Sequence, residues 1–541
     1  MQHKSDTGLN RRSFLHLAGI SALGLTASAV CARANGSKRP NVAIILADDL
    51  GFSDIGCYGG EIETPNLDRL AAAGLRFTHF YNTGRCWPTR AAIMTGYYPH
   101  QIRMDPSKGR LPKAVRLMPH YLAPAGYRTY HSGKWHVNGA PLPVKDGGFD
   151  RSFVVHDHDR FFSPRNIVLD DQKLPPVTES PDYYLTSSIA DYSIDFLKQH
   201  HADHREKPFF LYLAFTTPHF PLHAMQKDID HYRDRYLEGW DQIRQTRFER
   251  LRSEGIIDCD LSKPEPETIP TWNLPEEALH TRIGPGEAGR AVPWTDLTDE
   301  QRRFQATKMA IHAAMVHSMD RDIGRVLDQI KAMNADDDTL VFFLSDNGAS
   351  AEQIIRGDGH DPAAPAGSAA SYLCLGPGWS TAANTPFRLH KTWVHEGGIA
   401  TPLIVHWPNG IAARGSLRHA PGHCIDFVPT LLDLLKIDPP KTWNDLEPPA
   451  LPGKSLLPAF AKDRPIERDF LFFSHINNRA LRIGDYKLVR THADADWSLY
   501  NLAKDRDEGE DLAGKHPKKV KEMANLWEKL NTEFQTDSKA P

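Results

Sequence analysis

The sequence predicts an α/β protein: a doubly wound mixed sheet with helices on both faces, followed by a small C-terminal antiparallel sheet with a terminal helix. Two observations support this fold class. Short runs that are apolar on both faces alternate with helical segments over about the first 435 residues. Beyond that point the pattern changes to a hairpin and an amphipathic helix. A chain of 541 residues is long enough for a large domain and a smaller one.

The strands are predicted from apolar, β-branched runs of the kind that parallel sheets bury on both faces. Four runs have this form: Asn41 to Ala47, Phe209 to Phe215, Thr339 to Leu344 and Thr401 to His406. Polar residues follow the first three runs, among them Asp48, Asp49, His219, Asp346 and Asn347. Because open α/β sheets bind ligands beyond the carboxyl ends of their strands, these side chains stand where a site is expected.

Helices are predicted between the strands from capping signals and apolar periodicity. Thr64 is the predicted N-cap of a helix over Pro65 to Ala73, with proline at the first helical position and Gly74 as the stop. Further helices are predicted near Leu185 to Gln199 and from Gln301 to Met333.

The chain is predicted to divide into a large domain over residues 38–435 and a subdomain over 436–541. A polar, proline-rich section over 221–293 interrupts the large domain, and a section of that length is usually functional or disordered. The subdomain is expected to contain a hairpin and a terminal helix: Arg479 to Ile483, Tyr486 to Arg490, and Pro517 to Phe534.

The N-terminal residues 1–34 have the pattern of a twin-arginine signal peptide. Asn10-Arg11-Arg12-Ser13-Phe14-Leu15 precedes a small-residue apolar run from Leu17 to Val30. That run is too short and too poor in large apolar residues for a stable membrane span. A lipoprotein anchored through Cys31 is the alternative, against which the large Val30 counts. We therefore expect a bacterial periplasmic or secreted protein that uses the twin-arginine translocase.

Net charge and cysteine content exclude several classes of protein. A formal charge of -4 and a pI near 6.7 provide no basic surface for nucleic acid or an anionic membrane. Outside the signal the chain has an odd number of cysteines: Cys57, Cys86, Cys259, Cys374 and Cys424. An odd number does not fit a disulfide framework, so one thiol is expected to have another purpose.

Cys86 is the candidate for that purpose. The segment Cys86-Trp87-Pro88-Thr89-Arg90-Ala91-Ala92-Ile93-Met94-Thr95-Gly96 places a cysteine at a predicted helix start, where the helix dipole favours negative charge. The spacing C-x-P-x-R followed by T-G resembles the sulfatase signature whose cysteine is oxidised to formylglycine. Met94 stands where that signature most often has Leu, a packing swap.

A second signature of the same family has its counterpart in the segment from Gly126 to His136, which contains Gly133-Lys134-Trp135-His136. The resemblance, chiefly to bacterial arylsulfatases, continues through four further stretches: Gly239 to Arg244, Val292 to Trp294, Met309 to Gly324, and Thr385 to Gly398. It implies an alkaline-phosphatase-like fold, a sulfatase catalytic domain over 38–435, and a formylglycine-generating maturase as a partner.

The resemblance also implies a metal site and catalytic roles. The metal ligands would be Asp48, Asp49, Asp346, Asn347 and an oxygen of the modified Cys86. These hard oxygen donors suit Ca²⁺, with Mg²⁺ as the second choice, and disfavour zinc or copper.

Cations must surround a sulfate ester as charge moves onto its leaving oxygen. The resemblance assigns substrate binding to Lys134, Lys391 and His219, and support of the formylglycine hydrate to Arg90. One hydroxyl of the hydrate would attack sulfur and His219 would protonate the leaving alcohol. His136 would deprotonate the second hydroxyl so that sulfate is released.

Several other histidines could be functional or merely structural. His156-Asp157-His158-Asp159 looks like a metal cluster, but strand-like alternation would split its side chains between two sides. His200, His201 and His204 are interpreted as a solvated connector. His395 either orients Lys391 or is structural. Ser474 to Asn478 replaces an acidic stretch of many arylsulfatases, so their substrate preference does not transfer.

Two alternatives to a sulfatase remain open from the residues alone. One is a phosphomonoester or phosphonate hydrolase of the same superfamily, and the other is a non-catalytic glycan-binding protein that has kept the fold. The alcohol that carries the sulfate is equally open, because a sulfated small molecule, an aryl ester and a sulfated glycan all fit the motifs.

Overall fold

The computed structural model describes residues 39–106, 109–180, 182–492 and 495–539. The predicted signal peptide and Cys31 lie outside the described residues, so the export route stays a prediction. None of the described helices has an apolar stretch long enough to cross a membrane.

The described residues contain fifteen strands: β1 Asn41–Ala47, β2 Leu75–Tyr81, β3 Arg128–Gly133, β4 Arg151–Val155, β5 Ile167–Leu169, β6 Gln172–Lys173, β7 Phe209–Ala214, β8 Thr339–Ser345, β9 Ala400–His406, β10 Ser416–Arg418, β11 Gly422–His423, β12 Leu471–His475, β13 Asn478–Ile483, β14 Tyr486–Arg490 and β15 Ser498–Asn501.

Thirteen α-helices lie among the same residues: α1 Pro65–Ala73, α2 Cys86–Thr95, α3 Met118–Leu122, α4 Leu185–Asp203, α5 Gln226–Tyr232, α6 Gly239–Ser253, α7 Glu276–Arg282, α8 Asp299–Ala332, α9 Gly376–Ala383, α10 Glu396–Ile399, α11 Phe427–Leu435, α12 Leu457–Ala461 and α13 Pro517–Asp537. Short 3₁₀ turns occupy Gly56–Tyr58, Pro99–Ile102, Trp294–Asp296 and Cys424–Asp426.

The large sheet has eleven strands in the order β10-β2-β9-β8-β1-β7-β3-β4-β5-β6, with β11 paired to β2. Strands β8, β1, β7, β3 and β4 are parallel neighbours, so their carboxyl ends meet at one edge of the sheet. The mixed sheet predicted from the sequence is confirmed. One detail is wrong: β9 was predicted as a parallel strand, but it runs antiparallel to both β2 and β8.

Helices α8 and α4 each have one boundary that differs from the predicted one, and hydrogen bonds explain both differences. The Thr298 hydroxyl accepts a hydrogen bond from the Gln301 N–H at 3.2 Å, and the Gln301 side chain accepts one from the Thr298 N–H at 3.0 Å. This capping box starts the helix two residues before the predicted Gln301. Helix α4 continues to Asp203 because His200, predicted to lie in a solvated connector, is buried and bonded to Tyr130 and the Lys207 carbonyl.

The C-terminal elements form the predicted small antiparallel sheet, in the order β12-β13-β14-β15, with α13 against it. Trp527 of α13 stacks on Phe472 with ring centroids 5.3 Å apart, and its indole N–H donates to the Phe473 carbonyl. An amphipathic helix cannot bury its apolar face alone, so this contact fixes it on the sheet. The domain boundary after residue 435 stays a prediction.

The proline-rich section over 221–293 is ordered. It contains α5, α6 and α7, and Trp240 of α6 packs edge-on against Trp294 and Trp379 at 4.8 and 5.7 Å. Much of the section therefore builds the core.

Candidate active site

The predicted metal ligands lie at the carboxyl ends of β1 and β8. These strands pair in parallel register, with Ala47 opposite Ser345, so the residues that follow them emerge side by side. The Asp49 N–H donates to Asp346 Oδ1 at 3.3 Å, and Asn347 Nδ2 donates to Asp49 Oδ1 at 2.7 Å. All of these side chains are buried.

Cys86 faces the same carboxylates from another element. It is the first residue of α2, and its sulfur lies within 4.8 Å of the carboxylate oxygens of Asp48 and Asp346. The helix ends at Gly96, whose φ of 78° suits a residue without a side chain. The helix dipole therefore favours a negatively charged group at position 86.

Three buried cations pair with these acids. Arg90 binds Asp346 Oδ2 through Nε at 2.9 Å and through a terminal nitrogen at 2.8 Å. Lys134 Nζ lies 2.5 Å from Asp48 Oδ2, and Lys391 Nζ lies 2.7 Å from Asp49 Oδ1. Arg90 therefore contacts the predicted metal ligands directly, whereas its predicted role was to support the modified Cys86.

The carboxylates respond differently to this crowding. Burial, reinforced by the charge of Asp48, raises the pKa of Asp346 to about 7 against the opposing effect of Arg90. Burial also raises the pKa of Asp49. The pKa of Asp48 is lowered, because Lys134, His219, Arg90 and Lys391 outweigh its burial. Crowding of like charges alone would raise all three pKa values, so the lowered pKa of Asp48 shows the effect of its cationic neighbours.

Three histidines line the approach to this cluster. His219 Nε2 lies 3.7 Å from Asp49 Oδ2, and the His158 ring stands edge-on to His219 at 4.9 Å. His136 is half-buried, with its ring 6.0 Å from those of His158 and Trp87. Burial and the nearby Lys391 hold the pKa of His219 well below its ordinary value.

The structure therefore brings every residue of the predicted site to one edge of the sheet. A model of the sulfatase family matches residues 40–437, and one described as N-sulphoglucosamine sulphohydrolase, C-terminal, matches residues 387–536. The chain belongs to the sulfatase family. The protein is a type I sulfatase, an enzyme that hydrolyses sulfate esters.

Relatives resemble the sulfatase over most of its length. It is 32% identical to an uncharacterized sulfatase of Schizosaccharomyces pombe, over 91% of this chain and 93% of the relative. It is 31% identical to an arylsulfatase of Klebsiella aerogenes, over 76% of this chain and 90% of the relative. N-acetylgalactosamine-6-sulfatase of Rattus norvegicus is 26% identical, over 93% and 80% of the two chains.

Solved structures share the fold of the sulfatase. The crystal structure of Ps i-CgsB superposes with a TM-score of 0.65 at 22% identity, over 93% of this chain and 94% of that one. The structure of BT4656 in complex with its substrate D-glucosamine-2-N,6-O-disulfate gives a TM-score of 0.62 at 20% identity, over 93% and 100% of the two chains. The alkaline-phosphatase-like fold class is confirmed.

The donor set of the sulfatase fits an oxygen-binding cation. Asp48 Oδ1 and Asn347 Oδ1 are buried and, among the described residues, have no hydrogen-bond partner. Such oxygens cost free energy unless something binds them. Hard oxygen donors of this kind suit Ca²⁺ better than zinc. His219 also lies within 4.8 Å of Asp48 and Asp49, so a nitrogen ligand is within reach.

Glu352 is a site residue that the sequence did not reveal. One of its oxygens lies 3.3 Å from Lys391 Nζ, the other accepts from the Trp272 indole at 2.9 Å, and Arg85 pairs with it at 3.3 Å. Burial by itself would raise the pKa of Glu352, but the cations Lys391 and Arg85 hold that pKa well below the ordinary range. Glu352 lies in the irregular segment after β8 and belongs to no motif, so only the folded structure reveals its contact with Lys391.

The remaining histidine candidates lie in different places in the structure. In the segment from His156 to Asp159, Asp157 accepts from the N–H groups of Arg165 and Asn166, and His158 packs against His219 of the active site. His395 is the N-cap position of α10. In the divergent stretch from Ser474 to Asn478, His475 pairs with Asp105 at 2.9 Å and packs edge-on against Trp87, beside Cys86.

Proposed function

We propose that the sulfatase cleaves sulfate esters of carbohydrates or aryl alcohols with formylglycine made from Cys86 and a bound Ca²⁺. One observation carries the proposal: a cysteine at a helix start, within the C-x-P-x-R spacing, lies within 4.8 Å of two buried carboxylates. A buried thiol that is merely structural needs no such neighbours.

Asp48, Asp49, Asp346 and Asn347 would hold the cation through their side-chain oxygens. Formylglycine at position 86 supplies a nucleophilic oxygen, and Ca²⁺ supplies positive charge next to the sulfate. Arg90 keeps Asp346 and Asp48 in place, because its guanidinium is fully buried and bonded to the Lys134 carbonyl at 2.7 Å.

Lys134 and Lys391 are the cations that would bind the sulfate oxygens. Burial alone would lower the pKa of Lys391, but the carboxylates of Asp49 and Glu352 raise it, so Lys391 stays charged. An anionic ester beside His219 would raise the pKa of that ring from its low resting value, so that it can donate a proton to the leaving oxygen. His136, whose ring lies 6.0 Å from that of His158, would accept the proton when sulfate is released.

Sulfated glycans are the proposed substrate class. The relatives include N-acetylgalactosamine-6-sulfatases, and BT4656 was solved with a sulfated glucosamine. The arylsulfatase of Klebsiella aerogenes keeps aryl sulfates within the proposal.

Maturation and export complete the proposal. We propose that a formylglycine-generating maturase acts on Cys86 in the cytoplasm, before the twin-arginine translocase exports the folded enzyme to the periplasm or medium. Burial of Cys86 supports this order, because a maturase needs the segment extended. Adding maturase to folded, unmodified protein should give little activity, and full rescue would contradict the order.

Two measurements test the activity. Wild type made with a maturase should hydrolyse nitrophenyl sulfate much faster than nitrophenyl phosphate. Mass spectrometry of the Cys86 peptide should show sulfur exchanged for oxygen. A preference for phosphate would assign the enzyme to phosphate or phosphonate ester hydrolysis, and an unmodified cysteine in active enzyme would exclude formylglycine.

A further inference from the structure

A second cavity opens at the same edge of the sheet as the catalytic residues. Its volume is about 350 Å³, and its walls come mostly from segments that follow β4, β7 and β8, with Glu179 contributed by the segment after β6. Phe161 and Phe162 follow β4, His223 follows β7, and Arg356 and Tyr372 follow β8. Because these strands are parallel, the cavity lies on the catalytic side of the sheet.

One aromatic side chain connects this cavity to the active site. Phe220 is the neighbour of His219, and its ring centroid lies 5.4 Å from Lys391 Nζ. The guanidinium of Arg356, in the cavity wall, lies 5.7 Å from the same centroid. Tyr372 packs on Phe220 at 6.5 Å. The Phe220 ring therefore contacts both a residue that would bind the sulfate and residues of the cavity wall.

Two buried polar atoms of the cavity wall have no hydrogen-bond partner among the described residues: His223 Nδ1 and Tyr372 Oη. His223 Nε2 must donate to the Ser371 carbonyl at 2.7 Å, since a carbonyl only accepts. Burial lowers the pKa of His223 to about 4, so Nδ1 is a bare acceptor at neutral pH. It can be satisfied only by a donor, such as a hydroxyl group.

The charges of the cavity do not favour an anion. Three arginines line it, but four carboxylates do as well, and Asp358 lies between Arg160 and Arg165. A sulfate group or the carboxylate group of a uronate has no proton to give to His223 Nδ1, and its negative charge would meet the four carboxylates of the wall. A ligand rich in hydroxyl groups offers both donors and acceptors, as these walls require.

We infer that this cavity binds an uncharged sugar unit attached to the sugar that carries the sulfate ester. The inference rests on the proposed function, because it places the sulfate between Lys134 and Lys391 and the rest of the glycan beyond Phe220. A cavity of about 350 Å³ lies at the small end of ligand sites, which limits it to a short stretch of glycan. The enzyme is then specific for neutral rather than uronate-bearing glycans.

The test compares one sulfated monosaccharide that the wild type hydrolyses in three forms: free, linked to galactose, and linked to glucuronate. Wild type should show a higher kcat/KM for the galactose-linked form than for the other two. Tyr372→Phe removes only the hydroxyl, so the ratio of kcat/KM for the galactose-linked form to that for the free form should fall by about tenfold.

Tyr192→Phe is the matched control. Tyr192 is half-buried in α4, stacked on Phe153, away from the cavity, and its variant should keep the wild-type ratio. An unchanged ratio in Tyr372→Phe, or a wild-type preference for the glucuronate-linked form, would overturn the inference.

A binding measurement separates this inference from the proposed function. The galactose-linked sulfated disaccharide is titrated calorimetrically into Cys86→Ala, with and without Tyr372→Phe. If the wild type hydrolyses no sulfate ester but binding weakens with Tyr372→Phe, the proposed function fails and the cavity stands. If hydrolysis occurs and Tyr372→Phe changes neither binding nor rate ratio, the cavity assignment fails alone.

Discussion

The large sheet has a cavity at each of its two edges. The cavity of about 440 Å³ lies at the amino end of β8, where Thr339 and Val341 meet Leu70, Leu327 and Ile330. The cavity at the carboxyl edge is smaller, about 350 Å³. None of the residues that line the larger cavity has a buried side-chain nitrogen or oxygen without a partner, whereas the smaller one has His223 and Tyr372.

Unsatisfied polar atoms, and not empty volume, therefore distinguish the cavity on the catalytic side from the other one. Both edges belong to the same strands, and the buried acids and cations gather at one of them. Parallel strands place all their carboxyl ends together, so residues from distant parts of the chain converge there. At the amino edge the charged groups Arg69, Asp328, Lys331 and Asp336 lie at the surface or near it, where water solvates them.

The largest expected effect comes from removing the nucleophile at the carboxyl edge. Cys86→Ser, made with a maturase that accepts only cysteine, leaves a single hydroxyl at position 86. Lys134, Lys391 and His219 can still assist attack on sulfur, but a sulfated serine has no second hydroxyl to release sulfate. We expect steady turnover to fall at least about 10⁴-fold after a burst of about one equivalent of alcohol.

Mass spectrometry should find the sulfate on residue 86 of this variant, and Cys86→Ala should show no burst. Sustained turnover by confirmed serine enzyme would contradict the release step assigned to His136.

Chelation should have the next largest effect. Without a cation the buried acids face each other, so we expect removal of Ca²⁺ to lower kcat/KM by about 10³-fold. Adding Ca²⁺ back should raise the midpoint of thermal unfolding by about 2–4 °C, because the ion binds only the folded state. Asp346→Asn should weaken both responses. Restoration by Zn²⁺ but not by Ca²⁺ or Mg²⁺ would contradict the oxygen-donor argument.

Glu352→Gln tests a positioning residue that contacts both Lys391 and Arg85. The carboxylate of Glu352 helps to raise the Lys391 pKa against the effect of burial. Its removal should lower kcat/KM by about tenfold and move the alkaline limb of the pH–rate profile to lower pH. Glu254→Gln, which removes a partly exposed partner of Arg76, is the control. A tenfold loss with an unmoved alkaline limb would make the role of Glu352 merely structural.

The parts of this molecule that the sequence predicted share one property. Strand β1 and helix α1 were predicted at their observed bounds, because a run apolar on both faces and a Pro-to-Gly capped segment are local signals. The direction of β9 has no local signal in the sequence, since it depends on which strands β9 pairs with. The length of α4 likewise depended on a tertiary contact, the burial of His200 against Tyr130.

The candidate site divides in the same way. Cys86, Lys134 and the acids after β1 and β8 were found because motifs and strand ends mark them. Glu352 lies in an irregular segment without a motif, and its contact with Lys391 exists only in the folded chain. The cavity with His223 and Tyr372 was also invisible, because a missing hydrogen-bond partner is a property of three-dimensional packing.

Filling the smaller cavity should have a moderate effect. Ala369 is half-buried in its wall, and Ala369→Leu adds apolar volume where the second sugar is expected. Overpacking a ligand site costs about 1–3 kcal/mol, so kcat/KM for a galactose-linked sulfate should fall by at least about fivefold. The rate with nitrophenyl sulfate should fall less, because that substrate carries no second sugar. Equal losses on both substrates would place the cavity outside the substrate path.

An alanine-to-leucine substitution in the larger cavity should have the smallest effect on activity. Ala73 is the last residue of α1, half-buried in the wall at the amino edge, so Ala73→Leu fills this cavity with the same added side chain. No catalytic residue or unpartnered buried polar atom of the described chain lines that wall. We therefore expect kcat/KM for both substrates to stay within about twofold of wild type. Thermal unfolding of Ala73→Leu and Ala369→Leu, measured side by side, shows whether both variants fold. A folded Ala73→Leu that lost activity on the galactose-linked sulfate would show that the amino edge also governs function, and the contrast between the two edges would fail.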